Sequence, residues 1–336
     1  METTLKENYD TFKLENPKVR IRDAAKTLGV SEAELVATNP DNILLNSDIE
    51  GMLKQIKDFG YVMALTRNED AVHERKGTYT KATFNAHVGL VVNPDIDLRL
   101  FMYNWKYAFA VNENNRKSIQ FFDTRGEAIH KIYLTEKSDE QAYQLFIDQF
   151  KADPAIELSI DSNPKAVVEE TPDNEIDVES FQKEWLGLTD THNFFGILKK
   201  HAVSRRQSMR LAPANHAIQI PVADVEKLLN TISDSDAEIM IFIGNKNMIQ
   251  IHTGKAKKIV RTGPWINILD EEFNMHLRDE AIESLWIVKK PTDLGLVHSV
   301  EAYDKEGNLI VQFFGKRKPN IPEREDWRGI IQTLEN

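Results

Sequence analysis

The 336 residues carry 42 Lys and Arg against 53 Asp and Glu, a formal charge of −11 with the two signs interleaved along the chain. Such a surface argues against a generic nucleic-acid or anionic-membrane binder, which needs a basic face. No cysteine occurs, so disulfides, thiolate metal sites and cysteine nucleophiles are excluded, while 41% hydrophobic residues suffice for a core spread over two domains or one unit used twice.

The amino-terminal residues lack both a basic start and an apolar run, so no signal peptide is expected, and no later apolar run is long enough to span a bilayer. The expectation is a soluble, cytoplasmic protein. The stretch Ala24-Ala25-Lys26-Thr27-Leu28-Gly29-Val30-Ser31 has the rhythm of a helix-turn-helix, yet Glu32 and Glu34 directly after it would repel phosphate. Residues 47–56 space Ile49, Met52, Leu53 and Ile56 at helical intervals, and 61–68 read as a strand. His73 follows in a basic stretch, either as an exposed loop residue or as a reserve ligand. In Asp97-Leu98-Arg99-Leu100-Phe101, strand alternation points Leu98 and Leu100 one way and Asp97, Arg99 and Phe101 the other. That second face belongs either to a cleft or to an exposed edge.

Residues 122–129 form a strand, a glycine-containing turn and a second strand, which is a hairpin. Residues 161–180 hold Pro164, Pro172 and the acids Glu169, Glu170, Asp173, Glu175 and Asp177, and read as a solvated acidic linker between a first unit, 1–160, and a second, 181–336. The second unit opens with a helix over 189–201, N-capped by Thr189 or Asp190, which puts His192 in its first turn above Phe195. The positive end of a helix dipole disfavours imidazolium and so keeps an imidazole lone pair available to a metal. A structural or surface role is the alternative for this histidine. Another helix start, Val203-Ser204-Arg205-Arg206-Gln207, places cations where the dipole favours anions, so either an anion lies close by or the pair is solvated.

The two units repeat one another. Residues 61–68 match 238–245, 177 positions later, and the same offset carries Gly77 to Gly254, Leu98-Arg99-Leu100 to Met275-His276-Leu277 and Phe109 to Trp286. The hairpin 122–129 matches 303–310 after a four-residue shift, and helix 222–232, with Val225, Leu228, Leu229 and Ile232, matches 47–56. Short turns rather than helical crossovers join the strands, so the expected class is α+β, a tandem duplication of a helix-plus-antiparallel-sheet unit. Positions alike in both copies serve folding, and positions that differ are where function was added. Chief among the differences is Val30-Ser31-Glu32-Ala33-Glu34 against Val203-Ser204-Arg205-Arg206-Gln207, acids against arginines.

Met63-Ala64-Leu65-Thr66-Arg67-Asn68 with Val72-His73-Glu74-Arg75-Lys76-Gly77, the 97–101 strand, Thr191-His192-Asn193-Phe194-Phe195 and Gln312-Phe313-Phe314-Gly315-Lys316-Arg317 occur in this order. On these pieces nearly the whole chain resembles the hemin-degrading factor family, the cytoplasmic haem-trafficking and haem-degrading proteins of bacterial haem-uptake systems. The resemblance implies two α+β repeats whose sheets stack centrally, with haem in a cleft built mainly by the second half. It further implies His192 as the axial iron ligand and Arg99 on the opposite face, where it is the candidate catalytic group if the porphyrin is opened. Arg205, Lys290 and Arg317 would surround the haem carboxylates, and Phe101, Phe242 and Gln312 would line the cleft.

Physical chemistry adds that guanidinium and ammonium groups pair with propionates, and that Phe195, Phe101 and Phe242 supply the aromatic contact a porphyrin face needs. The implied partners are haem, an importer and a downstream acceptor, with no nucleic acid and no membrane insertion, in a monomer or dimer. His73 would hold a second or transit haem if it is a ligand at all. Some members of the family degrade haem and others carry it, so an enzyme and a carrier both remain open. The rival of another class is a haem-free interaction protein that retains the scaffold.

Overall fold

The structure is a computed structural model that describes residues 4–163, 169–317 and 321–335. The chain divides into two units, each taking in a short piece of the other half of the sequence. Unit 1 is Met1–Arg67, Glu74–Pro164 and Asn245–Gln250; unit 2 is Asn68–His73, Lys165–Gly244 and Ile251–Asn336.

Unit 1 opens with α1 (Leu5–Glu15), α2 (Ile21–Leu28) and α3 (Glu32–Ala37). Thr4 and Ser31 accept backbone N–H groups at the starts of α1 and α3, while Glu7 and Glu34 reach back to the caps, so donors left unpaired by each first turn are satisfied reciprocally. Gly29 ends α2 at φ +69°, a left-handed conformation that glycine adopts without strain. Then come β1 (Ile43–Leu44), α4 (Ile49–Gln55), β2 (Gly60–Arg67), β3 (Ala71–Thr78, its residues up to His73 belonging to unit 2), β4 (Thr83–Asn85), β5 (Val88–Val92), β6 (Asp97–Phe101), β7 (Trp105–Glu113), β8 (Arg116–Asp123), β9 (Ala128–Ser138) and α5 (Glu140–Phe150). Antiparallel pairing gives one strand order β1-β7-β8-β9-β2 and a separate run β4-β5-β6. On one face of the longer run, α4 and α5 bury Met52, Leu53, Phe146 and Phe150 against Val62, Ile119 and Phe121. On the other, α3 buries Ala33 and Val36 against Tyr107, Phe109 and Phe122.

Unit 2 repeats the plan. It holds α6 (Val178–Leu186), α7 (Phe194–Lys200), α8 (Arg205–Arg210), β10 (Ala217–Ile220), α9 (Asp224–Asp234), β11 (Ile239–Asn245), β12 (Met248–Gly254), β13 (Ile259–Thr262), β14 (Trp265–Leu269), β15 (Phe273–Arg278), β16 (Ser284–Thr292), β17 (Gly295–Tyr303), β18 (Leu309–Gly315) and α10 (Glu325–Glu335). The strand orders are β10-β16-β17-β18-β11 and β13-β14-β15. Helices α9 and α10 bury Val225, Leu228, Trp327 and Ile331 against Ile241, Val300 and Phe313, and α6 to α8 cover part of the opposite face with Phe181, Trp185, Phe194 and Met209. The α+β class, the antiparallel sheets and the duplication expected from the repeat are what the chain adopts. Among the described residues, no helix is long and apolar enough to cross a membrane.

Two asparagines 177 positions apart show the repeat at atomic level. Asn68 Nδ2 donates to the carbonyls of Gly244 (3.1 Å) and Ile310 (2.8 Å), and Asn245 Nδ2 donates to those of Arg67 (3.2 Å) and Ile129 (3.0 Å). Each amide does for one unit what its counterpart does for the other, satisfying carbonyls that would cost about 1–3 kcal/mol each if buried without a partner.

Two local expectations need correction. His73 is neither exposed nor in a loop: it lies in β3, fully buried, with its ring edge-on to Phe273 at 5.0 Å, while His252 stacks on that phenylalanine at 3.7 Å. The first three residues of β3, Ala71, Val72 and His73, are all buried, although the residues that follow are charged. The acids Glu169, Glu170, Asp173, Glu175 and Asp177 of the linker are exposed, with Glu170 and Asp173 pairing with Arg210 at 3.0 and 2.8 Å; Pro164 falls outside the described residues. The helix expected over 189–201 is split, with 191–193 forming a 3-10 turn before α7 begins.

A buried histidine in unit 1 makes stability depend on pH. The His130 ring nitrogens meet the hydroxyls of Thr66, at 2.9 Å, and Tyr79, and burial pushes the imidazole down to about 3 from an ordinary 6.5. Since the folded protein refuses a proton that the unfolded chain accepts, this contribution is whole above about 6.5 and is lost as pH falls toward 3. His130→Gln is therefore expected to flatten the fall of melting temperature over that window, by up to about 1.4 kcal/mol of stability per pH unit. Parallel pH profiles for variant and wild type would contradict it.

Candidate functional site

The site starts from one row of side chains across the five-stranded sheet of unit 2. Cross-strand pairing aligns Gln219 (β10), Trp286 (β16), Glu301 (β17), Gln312 (β18) and Phe242 (β11). Paired residues share a face, so this row sits on the face opposite α9 and α10. The equivalent row in unit 1 is Leu44, Phe109, Gln120, Lys131 and Leu65.

The two rows meet opposite charges. In unit 1 the helix residue Glu32 pairs with Lys131 and Arg67, all three carried on buried or nearly buried side chains. Burial alone would raise the Glu32 carboxyl, but Lys131 and Arg67 hold it down at about 2. In unit 2 the polarity is reversed: Arg205, at the position of Glu32, donates from Nε and Nη2 to Glu301 at 3.2 and 3.4 Å. Glu301 is 0% exposed and also accepts Lys290 Nζ at 2.8 Å, Ser299 Oγ at 2.9 Å and Tyr303 Oη at 2.6 Å. Burial would raise this carboxyl as well, yet Arg205 and Lys290 keep it well below the ordinary carboxylate range.

The anion that the helix-dipole conflict called for is thus supplied within the protein. Glu301 meets Arg205, and Glu170 lies 3.9 Å from Arg206. Two cations around one carboxylate still leave one net positive charge. Lys290 is spent on the inside, with its side chain only 4% exposed and its ammonium 4.6 Å from the centre of the Phe194 ring. Arg205 is not, since its side chain is 32% exposed.

Phe194 begins α7, and directly before it the 3-10 turn carries His192. Asp190 caps that turn: its Oδ1 accepts the His192 backbone N–H at 2.8 Å and meets the ring Nδ1 at 2.6 Å. Both contacts depress the Asp190 carboxyl below its usual range, the backbone one most. A carboxylate only accepts, so in the neutral ring Nδ1 carries the proton and Nε2 keeps the lone pair. That nitrogen is accessible, because the His192 side chain is 88% exposed. Arg317 follows β18 and donates from Nη1 to Thr191 Oγ1 at 3.4 Å, which sets a second guanidinium beside the turn. Phe195 lies 72% exposed, and Phe242 packs edge-on against Phe314 at 5.1 Å.

Unit 2 therefore gathers His192, Phe195, Arg205, Phe242, Lys290, Gln312 and Arg317 through consecutive contacts or adjoining elements. Arg99 and Phe101 belong to unit 1. There β6 alternates as expected, burying Leu98 and Leu100 and leaving Arg99 and Phe101 half-buried opposite Leu90 and Val88 of β5. Arg99 pairs with Asp97 of its own strand. Sequence reasoning missed Glu301, Tyr303 and Phe194. For Glu301 a signal existed, since the first copy has Gln120 at the matching place.

A family model of the haemin-degrading HemS.ChuX domain matches residues 29–150 and 202–334. The chain belongs to this family. Its HemS.ChuX segments coincide with the repeated parts of the two units and leave the acidic linker unmatched. The hemin transport protein HmuS of Yersinia pestis is 38% identical to it over 345 residues, covering 100% of this chain and 99% of the relative. Among solved structures, holo-PhuS, a heme-binding protein from Pseudomonas aeruginosa, superposes with a TM-score of 0.95 at 42% identity and 98% coverage of both chains. ChuS, a heme degrading enzyme of Escherichia coli O157:H7, does so at 0.90 and 34%, covering 98% of this chain and 99% of its own.

Proposed function

We propose that this HemS.ChuX protein binds haem in the bacterial cytoplasm as part of a haem-uptake system, taking it from an importer and passing it to a downstream acceptor. The observation that carries the reading is the Asp190–His192 pair, which aims an exposed imidazole with its Nε2 lone pair outward beside a cluster that retains net positive charge. These residues fit the group: one nitrogen donor for iron, Arg205 and Arg317 for the propionates, and Phe195 and Phe242 for the porphyrin face. His192 is the proposed iron ligand, and the Asp190 carboxylate behind it would hold the ring in place. Gln312 lines the same face next to Glu301. A role for Arg99 toward the iron and for Phe101 in the lining rests on the family resemblance.

Kinship with ChuS supports a second reading, in which the bound porphyrin is opened and its iron released. Haem would then supply the redox chemistry, while this chain binds, orients and shields it. Hemin titrated into the ligand-free protein and followed at the Soret band is expected to give saturable one-to-one binding. Ascorbate added under air, with catalase present, then separates the readings: an unchanged spectrum marks a carrier and bleaching marks a degrading enzyme. Absence of a protein-specific Soret shift would overturn both and favour an interaction protein built on the same scaffold.

A further inference from the structure

The inference rests on the haem-binding reading and adds to it a residue that acts through another. We propose that Glu301 is the positioning residue of the acidic-arm subsite, gripping the inner edge of the Arg205 guanidinium so that its outer edge presents a fixed positive charge to one carboxylate of the ligand.

The geometry behind this is a carboxylate whose capacity is used up. Its Oε1 takes Lys290 at 2.8 Å, Ser299 at 2.9 Å and Arg205 at 3.4 Å, and its Oε2 takes Tyr303 at 2.6 Å and Arg205 at 3.2 Å. A carboxylate offers about four lone-pair sites, so five donors leave it no slack to swing or to recruit another cation. Arg205 commits one edge of a planar fork that carries five N–H groups, and a guanidinium held by one edge is pre-organised to bind a second carboxylate on another. Lys290 is buried beneath Phe194 and belongs to the frame, not to the ligand contact.

Unit 1 supplies the comparison. There the carboxylate sits on the helix and the cations on the sheet, Glu32 is closed off by Lys131 and Arg67, and no outward-facing guanidinium results. Moving the acid to the sheet, with Gln120 replaced by Glu301, and the base to the helix, with Glu32 replaced by Arg205, turns a sealed ion pair into an anion receptor. One net positive charge matches one carboxylate arm. The second arm then falls to a different cation, for which Arg317 beside Thr191 is placed.

The test compares hemin with its dimethyl ester, which keeps iron and ring but lacks both acidic arms, in wild type, Glu301→Gln and Tyr303→Phe. Glu301→Gln is expected to weaken hemin binding about tenfold and to leave binding of the ester unchanged, with Tyr303→Phe moving the same way by less. Equal or tighter hemin binding by Glu301→Gln would overturn the proposal, because a carboxylate that merely neutralises charge predicts that result. Equal losses for hemin and ester would overturn it too, as the mark of a disturbed unit. A separate measurement needs no haem: the Arg205 Nε–H signal in nitrogen-15 NMR of the ligand-free protein is expected to be resolved in wild type and lost in Glu301→Gln. If wild type fails to bind hemin, the haem reading falls, and a signal unaffected by Glu301→Gln removes the positioning role independently.

Discussion

Glu32→Ala is expected to lower the melting temperature by roughly 6–20 °C. The carboxylate is buried on α3 and reaches Lys131 on β9 and Arg67 on β2, so its removal strands a buried ammonium and a mostly buried guanidinium. Breaking a buried pair from one side costs about 3–5 kcal/mol, mainly as the penalty of the charge left behind. Removing both charges together, as in Glu32→Gln with Lys131→Met, is expected to cost less than Glu32→Ala alone. The pH dependence has a definite sign. The folded Glu32 carboxyl stands at about 2 against an ordinary 4.5, so its contribution is whole above about 4.5 and disappears as pH falls toward 2. Calorimetric melts at pH 7 and pH 3 check this: a shift of under 1 °C at neutral pH, or an equal shift at both, would show that the pair does not hold α3 to the sheet.

The second large effect is on ligand affinity. Asp190→Ala is expected to weaken hemin binding about 10- to 100-fold, the usual cost of losing the group that orients a metal-binding imidazole, and His192→Ala to weaken it at least as much. Both side chains lie on the surface, so His192→Ala should move stability by no more than about 0.5 kcal/mol, and Asp190→Ala by about 0.5–2 kcal/mol through the lost cap. This separates them from Glu32→Ala, which acts on the fold of unit 1. Titrations at the Soret band, with thermal melts as control, test the pair, and wild-type affinity in Asp190→Ala would remove the carboxylate from the account.

The sequence displayed the duplication and the alternation of β6, because these depend on periodicity, which a single chain records directly. It displayed the helix-start conflict at Arg205 for the same reason, but not its resolution. Glu301 stands 96 residues further on, and only strand pairing places it beneath α8. His73 reads as exposed because its neighbours in sequence are basic, whereas the start of β3, Ala71 to His73, is buried throughout. His192 lies in the 3-10 turn before α7 rather than in the first turn of one long helix, and the group that governs it is a side chain two residues back. Asp190, taken as a cap alone, serves both the backbone N–H and the ring. Gln120 and Glu301 on the sheet and Glu32 and Arg205 on the helices differ together between the copies, and that paired change is the signal by which the buried carboxylate could have been found.

We propose that His192 Nε2 donates to the haem iron. It is tested most directly by His192→Gly, which removes the imidazole and leaves room for a free one. Hemin bound to this variant is expected to show a weakened, shifted Soret band that returns to the wild-type position when millimolar imidazole is added. A His192→Gly complex with the wild-type spectrum before imidazole is added would contradict the assignment.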